Sequence, residues 1–409
     1  MVQHCRKLHT GSFHGCAFGL IFGKDMVLTK KNDNRVANLI RLLKAEGRDW
    51  RKIDENIKIQ RGAALSYLRN AIHSEESIVF DYGKCSGCMR CADSCGTGAI
   101  RQICVDGFRY PKIDVDKCVN CGKCRKTCDQ IHSPADNNIT KTLLTQSASA
   151  KDVSNSSAGG FVKTLSKHVI RKGGVSYGVV FSKDFKNCYF TRADSEDMVE
   201  FQARSKYLEP SPPDYGQIKS DVMSGRTVLF AGTPCQVAAV KNAIGEKENL
   251  ITVSLVCHAM PSAAEWRKYL TSLEKQHNSY AVYVNQRYGV QELYIVMLNG
   301  HVIYRPGKNE WVEKFISDKK ILRPSCLTCG FKYPNIQGDF IVGDSWGIDK
   351  KTNGIQSGKA GTVFFISGRA QSLFDEIQHL LNFKQLDTEQ VIQTFKRTNP
   401  MLMFPKGQV

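Results

Sequence analysis

The run Lys84-Cys85-Ser86-Gly87-Cys88-Met89-Arg90-Cys91-Ala92-Asp93-Ser94-Cys95 is echoed by Lys117-Cys118-Val119-Asn120-Cys121-Gly122-Lys123-Cys124-Arg125-Lys126-Thr127-Cys128. Each half is Cys-x2-Cys-x2-Cys-x3-Cys, the spacing that holds a [4Fe–4S] cluster. Three closely spaced cysteines reach three irons of one cubane. The fourth stands too far along the chain to close the same cube and ligates the other one. The expected ligand sets are therefore Cys85, Cys88, Cys91 and Cys128 for one cluster, and Cys118, Cys121, Cys124 and Cys95 for the other. Zinc also takes four thiolates, but two such runs in tandem favour clusters. A disulfide framework is disfavoured, because a chain of 409 residues does not need one to be stable.

The bulk properties agree with a globular redox protein. Length suggests two or three domains, and 42% apolar residues suffice for a real core. No apolar run is long enough to span a bilayer. Sixteen cysteines fit a reducing compartment, so a cytoplasmic location is expected. The formal charge of +18 resembles that of a nucleic-acid binder. That count omits the clusters, each carrying about −2 with its four thiolates. No nucleic-acid motif accompanies the charge. The excess instead suits an acidic redox partner or an anionic cofactor.

Residues 1–78 read as a basic, partly helical extension. Val36, Leu39, Ile40 and Leu43 recur at helical spacing within 34–72. Cys5, His9, His14 and Cys16 are scattered too irregularly to make a metal site the leading reading, and no small-residue cleavage site of a secretory signal follows the short apolar run. Residues 79–133 form the module that carries the two runs, with short strands expected around Ile100 and Ile113. The proline that usually follows the fourth cysteine is replaced by Gly96 and Asp129; it stiffens a turn and is not a ligand. Residues 134–153 are polar and read as a linker holding at most a short strand. A larger domain is expected over 154–409, which makes the fold α+β followed by α/β.

In that domain Ser154-Asn155-Ser156-Ser157-Ala158-Gly159-Gly160-Phe161 precedes a helix. Ser and Asn there are expected as caps, and the glycines would let a phosphate or a ring approach the backbone N–H groups. Arg204-Ser205-Lys206-Tyr207 is either a contact for an anionic cofactor or a surface loop. Val228–Ala231 and Leu250–Val256 read as buried strands, ending in Gly232-Thr233-Pro234-Cys235 and in Cys257-His258. Ligands bind at the carboxyl ends of such strands in open α/β sheets. With Cys326-Leu327-Thr328-Cys329, these residues make a third set of four thiols: Cys235, Cys257, Cys326 and Cys329. Taken singly, Cys235 reads equally as a reactive thiol at a helix start; the four together argue for a third [4Fe–4S] site. Asp344 and Trp346 either line a cofactor pocket or form a capped turn with a core tryptophan.

The segments Ser157–Phe161, Arg204–Tyr207, Val228–Lys241, Leu255–Ser262, Arg323–Phe331 and Gly343–Ile348, in this order, resemble the coenzyme F-420 hydrogenase/dehydrogenase beta-subunit family. The resemblance spans roughly 79–368 and couples that family to a bacterial ferredoxin-type module. It implies a larger α/β flavin-binding domain, with FAD beside the cluster of Cys235, Cys257, Cys326 and Cys329. Gly159, Gly160, Lys206, Tyr207 and Thr233 would lie around the flavin. The family usually carries Cys-His-Gly where this chain has Cys257-His258-Ala259, and Gly-Asp-Phe-Trp-Gly where it has Gly343-Asp344-Ser345-Trp346. These departures leave the cysteines intact and touch substrate or cofactor contacts.

The function implied is an iron–sulfur flavoprotein oxidoreductase. It would pass electrons between a ferredoxin or reduced deazaflavin (coenzyme F-420) and an organic substrate or partner subunit. The alternative is a non-catalytic electron-transfer subunit of a larger redox complex, of the kind that serves polysaccharide biosynthesis; a structural iron–sulfur protein ranks third. No catalytic residue is singled out, a homo-oligomer is not excluded, and no Gly-x-Gly-x-x-Gly follows a strand to support a Rossmann nicotinamide site.

Overall fold

The computed structural model describes two short N-terminal strands (7–10 and 25–28) and residues 82–131, 136–288, 292–304, 308–355 and 358–398. The chain divides into two units, Met1–Glu76 and Ser77–Val409. In the first, β1 (Lys7–Thr10) pairs in parallel with β2 (Asp25–Leu28). The helix expected within 34–72 and the side chains of Cys5, His9, His14 and Cys16 lie outside the described residues.

The second unit begins with the cysteine runs, wrapped around a hairpin of β3 (Ile100–Val105) and β4 (Phe108–Ile113). Asp106 and Gly107 turn the hairpin, both at positive φ, as a tight two-residue connection requires. Phe108 and Tyr110 pack beneath Cys85 and Cys91.

An eight-stranded sheet forms the body of the unit. Its strands are β5 (Lys141–Ser147), β6 (Val175–Phe181), β7 (Cys188–Ala193), β8 (Val228–Gly232), β9 (Leu250–Leu255), β13 (Phe340–Asp344), β14 (Gly361–Phe365) and β15 (Leu381–Leu386). The spatial order is β15-β5-β14-β13-β9-β8-β6-β7. β6, β8, β9 and β13 run parallel, and antiparallel strands flank them on both sides. Successive side chains of a strand face opposite ways, so β8 sends Leu229 into one core and Val228 and Phe230 into the other. On the first face Phe161, Leu165 and Val169 of the helix Phe161–Arg171 cover the sheet. On the second, Ile218 and Val222 join Val237, Val240 and Ile244 of the helix Pro234–Ile244. Burial of each such side chain contributes about 1.5–3 kcal/mol. The remaining strands, β10 (Ala281–Tyr288), β11 (Glu292–Met297) and β12 (Val302–Tyr304), form a separate antiparallel sheet. It packs on Trp266 and Trp311, both fully buried.

The segment 134–153, expected as a linker, supplies β5, which lies between β15 and β14. Its polar composition conceals a buried strand. Thr142 and Thr145 are wholly buried; Thr142 Oγ1 meets Thr388 Oγ1 at 2.8 Å, and Thr145 Oγ1 donates to the Gly361 carbonyl at 3.3 Å. Hydrogen-bonded threonines bury at little cost. The expected serine and asparagine caps are also not used. The helix Phe161–Arg171 starts at Gly160 in the left-handed region, with no side-chain cap. Among the described residues, no helix is long and apolar enough to cross a membrane.

Candidate metal centre

In each cysteine run, two residues in the left-handed region curl the backbone around one point. They are Gly87 (φ +71°) and Met89 (φ +59°) in the first run, and Asn120 (φ +52°) and Gly122 (φ +69°) in the second. One-turn helices, Arg90–Asp93 and Lys123–Lys126, follow. The hydroxyls that precede the fourth cysteines, on Ser94 and Thr127, meet at 3.3 Å. The two runs thus pack as a pair of like halves.

The interactions sort the thiols into groups. Cys85, Cys88, Cys91 and Cys128 lie close enough for their charges to act on one another. Cys128 thus stands with the three leading cysteines of the first run. Burial pushes the Cys85 thiol up to about 12, against an opposing pull from the Arg323 guanidinium. Burial also raises Cys88, Cys91 and Cys128. Backbone N–H groups face these sulfurs: Gly87 donates to Cys85 Sγ at 3.4 Å, Arg90 to Cys88, and Gln130 to Cys128.

Cys124 interacts with Cys118 and Cys121. Here Cys121 is exposed. Cys95, the remaining member expected of this set, has its thiol lowered chiefly by the Thr97 hydroxyl at 3.5 Å.

The third group is assembled by the sheet. β8 and β9 are parallel neighbours, so the residues after their carboxyl ends share one edge. Thr233 caps the helix Pro234–Ile244 in a capping box with Gln236, and Pro234 opens its first turn. That cap fixes Cys235, whose Sγ lies 3.4 Å from Thr233 Oγ1. Cys257 follows β9. The Cys326 loop is tied to the same edge by the Arg323 N–H to the Met260 carbonyl (2.8 Å), and the Met260 N–H donates to Cys326 Sγ (3.3 Å). Cys257 and Cys235 each feel Cys326 and Cys329, and burial is the main reason that all four thiols are raised, Cys326 to about 11. Cys235 also feels Cys88. The first and third groups therefore adjoin, across a cavity lined by Cys88, Cys235, Cys326, Arg109, Glu209 and Arg323.

The first and third groups, all-thiol, desolvated and met by backbone N–H donors, are chemically suited to iron–sulfur clusters, whose potentials such donors and burial set; the second is all-thiol but more exposed. Among the described residues, no three of His, Cys, Asp or Glu stand close enough together to hold a single metal ion.

Of the residues expected around a flavin, Thr233 stands at the sheet edge beside Cys235, while Gly159 and Gly160 precede the helix Phe161–Arg171 and Lys206 and Tyr207 follow the helix Glu196–Gln202. Gly159 is a packing position: a Cβ there would lie 2.7 Å from the Thr145 carbonyl oxygen and 2.9 Å from the Gly361 nitrogen. Lys206 Nζ donates to the carbonyls of Phe201, Gln202 and Ala203, at the end of the helix Glu196–Gln202. Burial pushes its ammonium down to about 7, while these three acceptors favour the charged form. Tyr207 stacks on Phe315 at 5.3 Å and hydrogen-bonds Arg287. Asp344 pairs with Arg287 at 2.7 Å, and Trp346 packs edge-on against Phe395. Ser157 Oγ accepts from the Ser205 backbone at 3.0 Å, joining two of the segments picked out in the sequence.

Sequence reading missed Arg287 and Lys359. Lys359 Nζ donates to the Ser156 carbonyl at 2.9 Å, and the charges of Arg204 and Arg287 act on it. The Ser156 hydroxyl is buried without a protein partner. No local pattern marks Arg287, which sits within β10. Arg323 and Glu209 were missed as well, although Arg323 heads the Arg-Pro-Ser-Cys segment.

Residues 225–389 match the family model for the C terminus of the coenzyme F420 hydrogenase/dehydrogenase beta subunit. Residues 78–101 match a 4Fe-4S binding domain model. The resemblance read from the sequence is upheld over these segments. No curated protein matches. Among solved structures, a chain of the F420-reducing [NiFe] hydrogenase complex from Methanosarcina barkeri is similar at 14% identity, covering 64% of this chain and 91% of its own, with a TM-score of 0.44. A likeness that slight bears on neither fold nor function.

Proposed function

We propose that this chain is an iron–sulfur flavoprotein oxidoreductase with three cysteine-held clusters and one flavin. It would exchange electrons with a reduced deazaflavin or a ferredoxin. The observation that carries the reading is the adjacency of the third cysteine group to Cys88. It supports a line of sites that runs inward from the exposed Cys121 group to the buried sheet edge. On this reading Cys85, Cys88, Cys91 and Cys128 hold the inner cluster, and Cys235, Cys257, Cys326 and Cys329 the one at the sheet. Cys118, Cys121, Cys124 and, by the pairing of like halves, Cys95 hold the outer one.

Bound clusters supply single-electron transfer, and a bound flavin links it to hydride chemistry. The chain's own residues hold and insulate. The backbone N–H groups on the sulfurs stabilise negative charge there, and the Thr233–Gln236 cap holds Cys235 at the sheet edge. Arg204, Arg287 and Lys359, offset in part by Asp344 and Glu292, leave an excess of positive charge beside the unpartnered Ser156 hydroxyl that suits the phosphates of a dinucleotide. Gly159, Gly160, Lys206, Tyr207 and Thr233 remain the proposed flavin surroundings, with the glycines acting through packing. A second reading, an electron-transfer component that works only inside a larger complex, is favoured by the match to a family of beta subunits.

Anaerobic purification with iron and flavin quantitation tests the proposal. About twelve irons and one flavin per chain support it. About eight irons without flavin remove both the third cluster and the enzyme.

A further inference from the structure

Between the first and third cysteine groups lies a cluster of enclosed charges. Arg323 is 1% exposed. Its Nη1 donates to the Cys85 carbonyl at 2.9 Å and its Nη2 to the Arg109 carbonyl at 2.8 Å. Nη2 also pairs with Glu209, and the guanidinium lies over Phe108 and Tyr110, 5.1 and 4.8 Å from the ring centroids. Glu209 is shared with a second cation, Arg109, whose Nη1 lies 3.8 Å away. Two guanidiniums against one carboxylate leave one unit of positive charge in a desolvated place.

Such a charge is expensive unless something negative answers it. The Nε atoms of both Arg109 and Arg323 are buried without a protein acceptor. Both arginines line the cavity that separates Cys88 from Cys235 and Cys326. Arg323 touches both groups: its Nη1 meets the Cys85 carbonyl, and its backbone carbonyl accepts from the Cys326 N–H at 2.9 Å.

We propose that Arg323, held between Glu209, Arg109 and the Cys85 carbonyl, is a positioning residue that supplies the counter-charge shared by the inner cluster and the sheet-edge cluster and so raises the reduction potential of both. A buried cation stabilises the more negative, reduced state of a neighbouring centre. The inference rests on the reading that these cysteines hold clusters.

The test is a redox titration of intact, anaerobically purified protein followed by electron paramagnetic resonance. The outer signal is assigned by its loss in Cys121→Ala. In Arg323→Met, the oxidised-to-reduced ratio of the inner and sheet-edge clusters at a fixed potential rises about tenfold, a 59 mV fall for a one-electron couple. The outer cluster stays where it was, and Arg323→Lys recovers most of the shift. Should Arg323→Met not fold, Glu209→Gln gives the decisive reading: leaving the two guanidiniums uncompensated, it moves the same two clusters the opposite way. A purely structural role gives no such reversal of sign. The inference is overturned if all three clusters shift together, if none shifts, or if Glu209→Gln moves them in the same direction as Arg323→Met. Wild-type protein without clusters overturns the functional reading as well; clusters that are present but unmoved overturn this inference alone.

Discussion

The two cysteine runs share a spacing and a backbone path but not an environment. In the first, Cys85 and Cys91 are buried, Gly87 lies against Arg323, and Tyr215 Oη donates to the Cys88 carbonyl at 2.9 Å. In the second, Cys121 is exposed, and a Cβ at Gly122 would meet nothing within 4 Å. Spacing therefore selects what is held, while the sheet domain, packed more closely on the first run than on the second, decides how wet each site is. A cluster's potential and its accessibility to partners follow from the second property.

The largest expected effect separates the runs by loss of ligand. Cys88→Ala and Cys121→Ala should each remove about four irons per chain, the content of one cubane. Only Cys88→Ala should also lower the thermal midpoint markedly, because the inner site is part of the packing against the sheet domain. Equal losses of thermal stability would erase the distinction between inner and outer sites.

Exposure gives the next effect. On titration with ferricyanide, iron should leave wild-type protein in two stages, and the early stage should be absent from Cys121→Ala. Susceptibility to oxidation follows accessibility, so loss of the inner iron first would contradict this difference in burial.

Backbone geometry gives a smaller one. Gly87→Ala combines left-handed strain, about 1–2 kcal/mol, with a Cβ 2.5 Å from Arg323 Nη2. Gly122→Ala carries the strain alone. The first should therefore depress the thermal midpoint more than the second, and the size of the gap measures how firmly Arg323 is held. Smallest of all, Cys104→Ser on the exposed side of β3 should leave the iron content unchanged and stability within about 0.5 kcal/mol.

The spacing of the runs was readable because cluster ligation demands fixed intervals, and the same rule sets the expectation that Cys128 serves the first run. The strands β8 and β9 were readable as apolar runs, and their cysteines fell on one edge because parallel neighbours end together. What stayed hidden depends on partners far away in sequence. β5 looked like a linker because Leu143 and Leu144 stand among buried Thr142, Thr145 and Ser147, and the partners of those hydroxyls lie beyond residue 160. Arg323 and Glu209 are ordinary surface residue types, and only the fold shows that they are enclosed. The same holds for Arg287 and Lys359 beside Ser156.

The position of β5 has a consequence for how the molecule is made. The strand leaves the cysteine-rich module early in the chain, yet its two sheet neighbours are Gly361–Phe365 and Leu381–Leu386. Until those arrive, an emerging polypeptide presents β5 with both edges open, and open edges invite pairing with other chains. Pairings this distant in sequence are also slow to form. The first two cysteine groups are complete long before the sheet can close, and the third has to wait for Cys329. The topology thus sets an order in which the segments become available: every cysteine of the module is present before the strands that close the sheet around β5.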